Sequence, residues 1–251
     1  MTRIATGIHR LGAGVVNAYL LDDAGSVTII DAGAPAYWND LPTELAAMGR
    51  SLDDVRAVVL THAHQDHIGF AERIRRERGV PIQVHEDDAA LARGEVKSTG
   101  QQAGPLRPIP LLSFLWFALT HGMLRIPPIR EVSTFGDGAT LDVPGSPRVI
   151  AVPGHSPGSA TLHVPGRDTL FIGDAIVTRA VTTGRTGARL SPFSADPDLA
   201  LASLARLDGV EAGLVLPGHG QPWTGGLAAA LDEARATAAE AIGRPPRGPV
   251  A

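Results

Sequence analysis

Thr61-His-Ala-His-Gln-Asp-His-Ile-Gly69 is the stretch on which the reading of this chain turns. It sets His62, His64, Asp66 and His67 within six consecutive positions. Neither a core nor a solvated surface calls for three imidazoles and a carboxylate at that density. A metal site does, because neutral imidazole nitrogens and carboxylate oxygens are donors that zinc and iron accept. The preceding residues, Asp54-Val-Arg-Ala-Val-Val-Leu60, read as a buried strand. The cluster therefore falls where a strand opens into a loop, with Gly69 leading into a helix. A loop lets the side chains converge, whereas on a straight strand they would alternate faces.

Outward from this loop the pattern alternates. Strands are expected over 16–21, 27–30, 55–60, 82–84, 131–135, 148–152, 160–164, 169–172 and 213–216. Helices are expected over 38–48, 69–78, 198–207 and 227–242, with Gly79 as a stop and Asp196-Pro197 as a start. No composition break marks a linker, so residues 1–242 read as one α/β domain of two similar halves, with sheets inside and helices outside. Residues 243–251 are rich in Pro, Arg and Gly and read as a flexible tail. Residues 94–129 interrupt the rhythm and are read as an insertion. Its apolar run from Ile109 to Leu124 is shorter than the ~20 residues a spanning helix needs. We read it as a helical lid; an interfacial helix or a homodimer contact is the alternative use.

Four more positions repeat the first loop's setting. His155 lies in Pro-Gly-His-Ser-Pro-Gly158, Asp174 in Ile-Gly-Asp-Ala175, His219 in Pro-Gly-His-Gly220 and Asp31 in Ile-Asp-Ala-Gly33. Each follows a strand end. Five of the nine histidines thus fall in strand-end loops, which a scattered surface population would not do. Loops on one sheet edge would build one pocket. His9, His85, His121 and His163 stand outside these motifs and are read as structural or surface residues.

The order and context of these motifs resemble the metallo-β-lactamase superfamily, from about residue 8 to 242. The resemblance implies an αββα four-layer sandwich with metals at one edge. It assigns His62, His64 and His155 to one ion, Asp66, His67 and His219 to a second, and Asp174 to both. Asp31 would stand behind them and steady the ligand loop. The implied cofactor is two zinc ions per chain, with iron or manganese as substitutes. The implied reaction is attack by a zinc-bound hydroxide, oriented by Asp66, on a small-molecule ester, thioester or lactone.

Departures narrow the branch. β-Lactamases of class B3 share His-x-His-x-Asp-His but lack the bridging Asp, so Asp174 argues against β-lactam hydrolysis, which stays an alternative. Glyoxalase II enzymes carry a C-terminal helical extension, whereas 32 residues follow His219 here. Acyl-homoserine lactonases place a Tyr three residues after the bridging Asp; here Val177 stands there. A mononuclear iron dioxygenase of the persulfide-dioxygenase type, using His62, His155 and Asp174, is the alternative from another class. The substrate pocket is expected between the insertion (Phe114, Trp116, Phe117) and the loop after Asp174 (Val177, Arg179, Arg185, Arg189). Its arginines suit a substrate carboxylate or phosphate.

Composition sets outer bounds. A net charge of −4 gives no electrostatic footprint for nucleic acid. With no cysteine, any metal must be held by His, Asp or Glu. The N-terminus lacks a basic stretch followed by an apolar run, so no signal peptide is read and a cytoplasmic location is expected, with no membrane contact. Arginine outnumbers lysine 21 to 1, a bias associated with GC-rich bacterial genomes.

Overall fold

A computed structural model describes residues 2–99, 101–102 and 106–242; the tail expected at 243–251 lies outside the described residues. The first half contains β1 (Thr2–Ala5), β2 (Ile8–Leu11), β3 (Ala18–Asp23), β4 (Ser26–Ile30), α1 (Tyr37–Ala47), β5 (Val55–Val59), α2 (Ala71–Arg78), β6 (Ile82–His85), α3 (Ala89–Ala92), β7 (Gln101–Gln102), α4 (Pro108–Thr120) and β8 (Ser133–Phe135). The second contains β9 (Arg148–Ala151), β10 (Ala160–Val164), β11 (Thr169–Gly173), β12 (Val177–Arg179), β13 (Thr186–Arg189), β14 (Phe193–Ser194), α5 (Pro197–Ser203), β15 (Leu214–Pro217) and α6 (Leu227–Ile242).

Seven strands form one sheet in the order β1-β2-β3-β4-β5-β6-β8, and four form a second in the order β15-β11-β10-β9. Alternation along each strand builds the layers. Leu20, Ile29 and Val58 face outward onto Leu41 and Leu45 of α1 and Ile74 of α2. Their neighbours Tyr19, Leu21, Ile30 and Val59 face inward and meet Leu162, Phe171 and Leu216 of the second sheet. On that sheet's far side, Leu170, Ile172 and Val215 pack against Leu204, Leu227, Leu231 and Ala234. The result is the expected αββα sandwich. Strands buried on both faces read as nearly unbroken apolar runs, which is why β4 and β5 are conspicuous in the sequence.

Local signals explain the ends of the elements. Gly79 closes α2 in the left-handed region, φ 69°, which costs a residue without Cβ nothing. The Asp196 carboxylate caps α5 by accepting from the Leu199 N–H, with Pro197 in the first turn. Several elements differ from expectation: α3, β7 and β12, β13 and β14 within the expected loop were not read from the sequence. The helix expected over 198–207 ends at Ser203 and tightens to a 3₁₀ turn over Leu204–Leu207. β1 and β2 had no sequence signal; they form an edge hairpin completed by antiparallel pairing of β2 with β3.

Topology brings the strand-end loops together. β4 runs parallel to β5, and β11 parallel to β15. Asp31 and the 61–69 loop therefore leave the first sheet side by side, as Asp174 and His219 leave the second. The insertion contributes α4, which borders the cleft these loops form.

Candidate metal centre

The 61–69 loop is pinned before its histidines are placed. The Thr61 backbone N–H donates to Asp31 Oδ1 (2.8 Å), and the Thr61 hydroxyl donates to the same carboxylate (2.9 Å to Oδ2). Gly69 N–H donates to the Gly33 carbonyl (2.9 Å) at an approach so close that a Cβ on Gly69 would lie 2.6 Å from the Ala34 carbonyl carbon. Asp31 itself takes φ 60°, a region that Asp and Asn tolerate better than other residues with a side chain.

These anchors set the tautomers. His67 Nδ1 lies 2.9 Å from Asp31 Oδ2, so this nitrogen carries the proton and donates it, leaving Nε2 with its lone pair toward the cleft. His62 Nδ1 faces the Thr61 hydroxyl (3.1 Å), whose own proton is committed to Asp31. His219 Nδ1 donates to the Val15 carbonyl. In all three rings Nε2 is the nitrogen turned toward the cleft and the one a metal would take.

Those nitrogens then converge on each other. His62 Nε2 and His155 Nε2 stand 3.2 Å apart. His219 Nε2 stands 3.2 Å from both Asp66 Oδ2 and Asp174 Oδ2. Asp174 lies between the two sets, 3.5 Å from His155 Nε2 through Oδ2 and 3.6 Å from His67 Nε2 through Oδ1. Buried His67 Nε2 and Asp174 Oδ1 have no hydrogen-bond partner among the described residues. Lone pairs aimed at lone pairs repel unless a cation lies between them. Three groupings have all their donor atoms within 4.8 Å of one another: His62, His64 and His155; His62, His67 and Asp174; Asp66, His67 and His219. The donor set fits divalent metal, with imidazole and carboxylate and no thiolate.

The electrostatics divide along the same line. Burial drives His62 well below the ordinary imidazole value and His155 down to about 3, despite Asp174 beside it. Neutral imidazole is the ligand form. On the other side burial also opposes charge, but Asp31, Asp66 and Asp174 outweigh it and raise His67 to about 9. Asp174 and Asp66 likewise hold His219 well above its usual value. Burial opposes ionisation of Asp66 and Asp174, yet the facing His67 and His219 hold both carboxyls below the usual range. This half of the centre demands positive charge, which a metal ion would supply.

Two supporting groups lie outside the sequence motifs. Asp88 is fully buried and ties two ligand loops together: Oδ2 accepts from Ala63 N–H (2.8 Å) and Ser156 Oγ–H (2.7 Å), and Oδ1 from Gly158 N–H (2.7 Å). In sequence it ends Glu86-Asp87-Asp88, which looks like a solvated acidic turn; the Ser beside His155 was the available hint. The His219 loop is held by the N-terminal strands. The Asn17 side-chain amide donates to the Pro217 and Gly220 carbonyls (2.9 Å each), and Tyr19 O–H donates to Pro217 O (2.7 Å).

A cleft of about 360 Å³ opens over the centre, where His64, Asp66, His155, Asp174 and His219 line its floor. Phe114 and Arg179, two of the residues expected at the substrate pocket, lie on its wall. Ala118, Met123, Val181 and Phe193 complete the apolar side, and Ser98 hydrogen-bonds His64 Nε2 (2.9 Å). The other expected wall residues lie elsewhere. Trp116 points outward, Phe117 stacks on His121 at 3.9 Å, and Val177 is buried in β12. Arg189 turns back to the Gly187 carbonyl (3.2 Å), and neither it nor Arg185 lines the cleft.

The family model described as the metallo-beta-lactamase superfamily matches residues 11–219. The probable metallo-hydrolase YflN of Bacillus subtilis is 28% identical over 88% of this chain and 86% of its own length. A metallo-beta-lactamase family protein from Thermus thermophilus superposes with TM-score 0.68 at 24% identity, covering 95% of this chain and 80% of that one. TTHA1623, solved in a di-iron-bound form, gives TM-score 0.57 at 26% identity over 86% and 93% of the two chains.

Proposed function

As the chain belongs to the metallo-β-lactamase superfamily, we propose that it is a dinuclear zinc hydrolase acting on a small-molecule ester, thioester or lactone. The observation that carries this reading is the convergence of His219 Nε2, Asp66 Oδ2 and Asp174 Oδ2 at 3.2 Å beside the His62–His155 pair. His62, His64 and His155 would hold one ion and Asp66, His67 and His219 the other, with the Asp174 carboxylate between them. Two such ions would supply a nucleophile at neutral pH and polarise the scissile carbonyl.

The chain's own groups do the rest. Asp66 borders the cleft, so its carboxylate is placed to orient the nucleophile. Phe114, Ala118, Met123 and Phe193 give the acyl portion an apolar wall. Arg179 has no hydrogen bond or ion pair to its guanidinium among the described residues and is the group to receive a substrate carboxylate or phosphate.

Elemental analysis of the purified protein, with turnover on an ester, thioester and lactone panel, tests the reading. Two zincs per chain with chelator-sensitive hydrolysis is the expected result. One iron per chain, no hydrolysis and oxygen uptake with persulfides would replace it with the dioxygenase. A relative's di-iron form makes iron content the measurement to take first.

A further inference from the structure

α4 has two apolar faces, and one has no partner. Phe114 and Ala118 line the cleft. Ile109, Leu112, Leu115, Trp116 and Leu119 face outward, with Ile109 82% and Trp116 68% exposed. Positions 109, 112, 116 and 119 follow the three-and-four spacing of one helix stripe. Leu106 and Leu124, just beyond the two helix ends in sequence, are exposed as well. A contiguous apolar face of this kind marks an interaction surface rather than chance exposure.

Charge identifies the occupant. From Val96 to Arg130 the sequence holds no Asp or Glu, but it holds Lys97, Arg107, Arg125 and Arg130. This reverses the sign of a chain whose net charge is −4. Lys97, Arg107 and Arg125 have no ion-pair partner among the described residues. A self-complementary contact between two copies would set this basic segment against itself with no acid in the segment to neutralise it. An anionic lipid surface supplies the missing charge. An exposed apolar stripe carrying Trp, with Arg beyond both helix ends, suits docking of that one face on a membrane interface. Thirteen residues span only ~20 Å, too short for the ~30 Å hydrocarbon core, so the helix lies flat.

We propose that α4 rests on an anionic lipid surface and that the cleft beneath it draws its substrate from that surface. The substrate class is then a lipophilic acyl ester, thioester or lactone, an extension that rests on the hydrolase reading. The lipid contact itself needs no turnover.

Flotation of the full-length protein with extruded vesicles tests this. Wild type is expected to float with vesicles of equal parts phosphatidylcholine and phosphatidylglycerol, and much less with phosphatidylcholine alone. Raising the salt should weaken the anionic-vesicle binding by about tenfold or more. Ile109→Gln/Leu112→Gln/Leu119→Gln should lower partitioning at least ~tenfold while preserving the thermal midpoint and turnover of a short, water-soluble ester. Should that variant fail to fold, Arg107→Gln/Arg125→Gln at the exposed flanks should remove the preference for phosphatidylglycerol alone. Wild type that stays at the bottom of the gradient with both vesicle types overturns the proposal. So does a dimer in sedimentation velocity that the triple substitution dissolves. Flotation of metal-free protein separates this proposal from the hydrolase reading, which can fail without changing it.

Discussion

Asp31→Asn should weaken one of the two proposed metal sites and spare the other. The substitution keeps the shape of the side chain and suits the left-handed backbone at φ 60°. What changes is the donor pattern. Asp31 Oδ1 accepts from Thr61 N–H at 2.8 Å, and Oδ2 accepts from His67 Nδ1 at 2.9 Å. An Asn will keep its oxygen on the Thr61 amide, the better-fixed donor, and turn its NH₂ toward His67. Nδ1 must then become an acceptor, so the ring proton moves to Nε2, the atom facing Asp174 at 3.6 Å. A protonated Nε2 cannot bind metal. Losing such a support typically costs 10–100-fold in metal affinity, about 1.4–2.7 kcal/mol. Zinc titration of metal-free protein by calorimetry, with a competing chelator, should show two steps in wild type. In the variant only the step belonging to Asp66, His67 and His219 should weaken. Equal weakening of both steps, or an unchanged second step, would refute the tautomer argument.

Asp88→Ala should strand the Ala63 and Gly158 amides and leave the Ser156 hydroxyl with Ser159 Oγ alone. Urea unfolding should show a loss of about 3–5 kcal/mol, with weaker binding at the His62, His64 and His155 site. Asp66→Asn should lower kcat by roughly 10²–10⁴ with the fold intact by circular dichroism, and near-native turnover in a fully metallated variant would sink the role given to Asp66. Phe171→Ala, emptying a fully buried site between the sheets, should cost about 3–5 kcal/mol in the same urea assay. For metal-free protein, His155 is held at about 3 when folded against an ordinary 6.5 when unfolded. As pH falls below 6.5 the unfolded chain takes the proton first, so this residue removes about 1.4 kcal/mol of stability per pH unit down to about pH 3. Urea midpoints at successive pH values should lose that slope in His155→Asn, and a variant as acid-sensitive as wild type would contradict it.

The sandwich and the convergent loops were legible because each rests on local pattern. β4 and β5 advertise their burial through aliphatic runs interrupted only at Thr28 and Arg56, and the 61–69 loop concentrates donors that nothing else would place together. Asp88 was not legible because its three partners come from loops about 25 and 70 residues away, while its own neighbours are acidic and solvated. The orientation of α4 was hidden for another reason. Trp116, Phe117 and Phe114 sit on a helix apolar on all sides, and without a polar face nothing in the sequence sets its rotation. Phe193 and Val181 reach the cleft wall from segments without any motif, so only the fold brings them there.

The grip of Asn17 and Tyr19 on the Pro217–Gly220 turn carries a consequence for biosynthesis. These hydrogen bonds join residues about 200 positions apart, and His219 itself leans on Val15. During translation His62, His64, Asp66 and His67 emerge early as a lone cluster of imidazoles. At roughly 5–20 residues per second, the 152 positions from His67 to His219 take about 8–30 s to make. Throughout that interval the nascent chain presents an incomplete set of donors to whatever cations surround it. The closing turn arrives 152 positions after the first cluster, and only its docking onto a strand made before that cluster turns a loose chelator into a selective one.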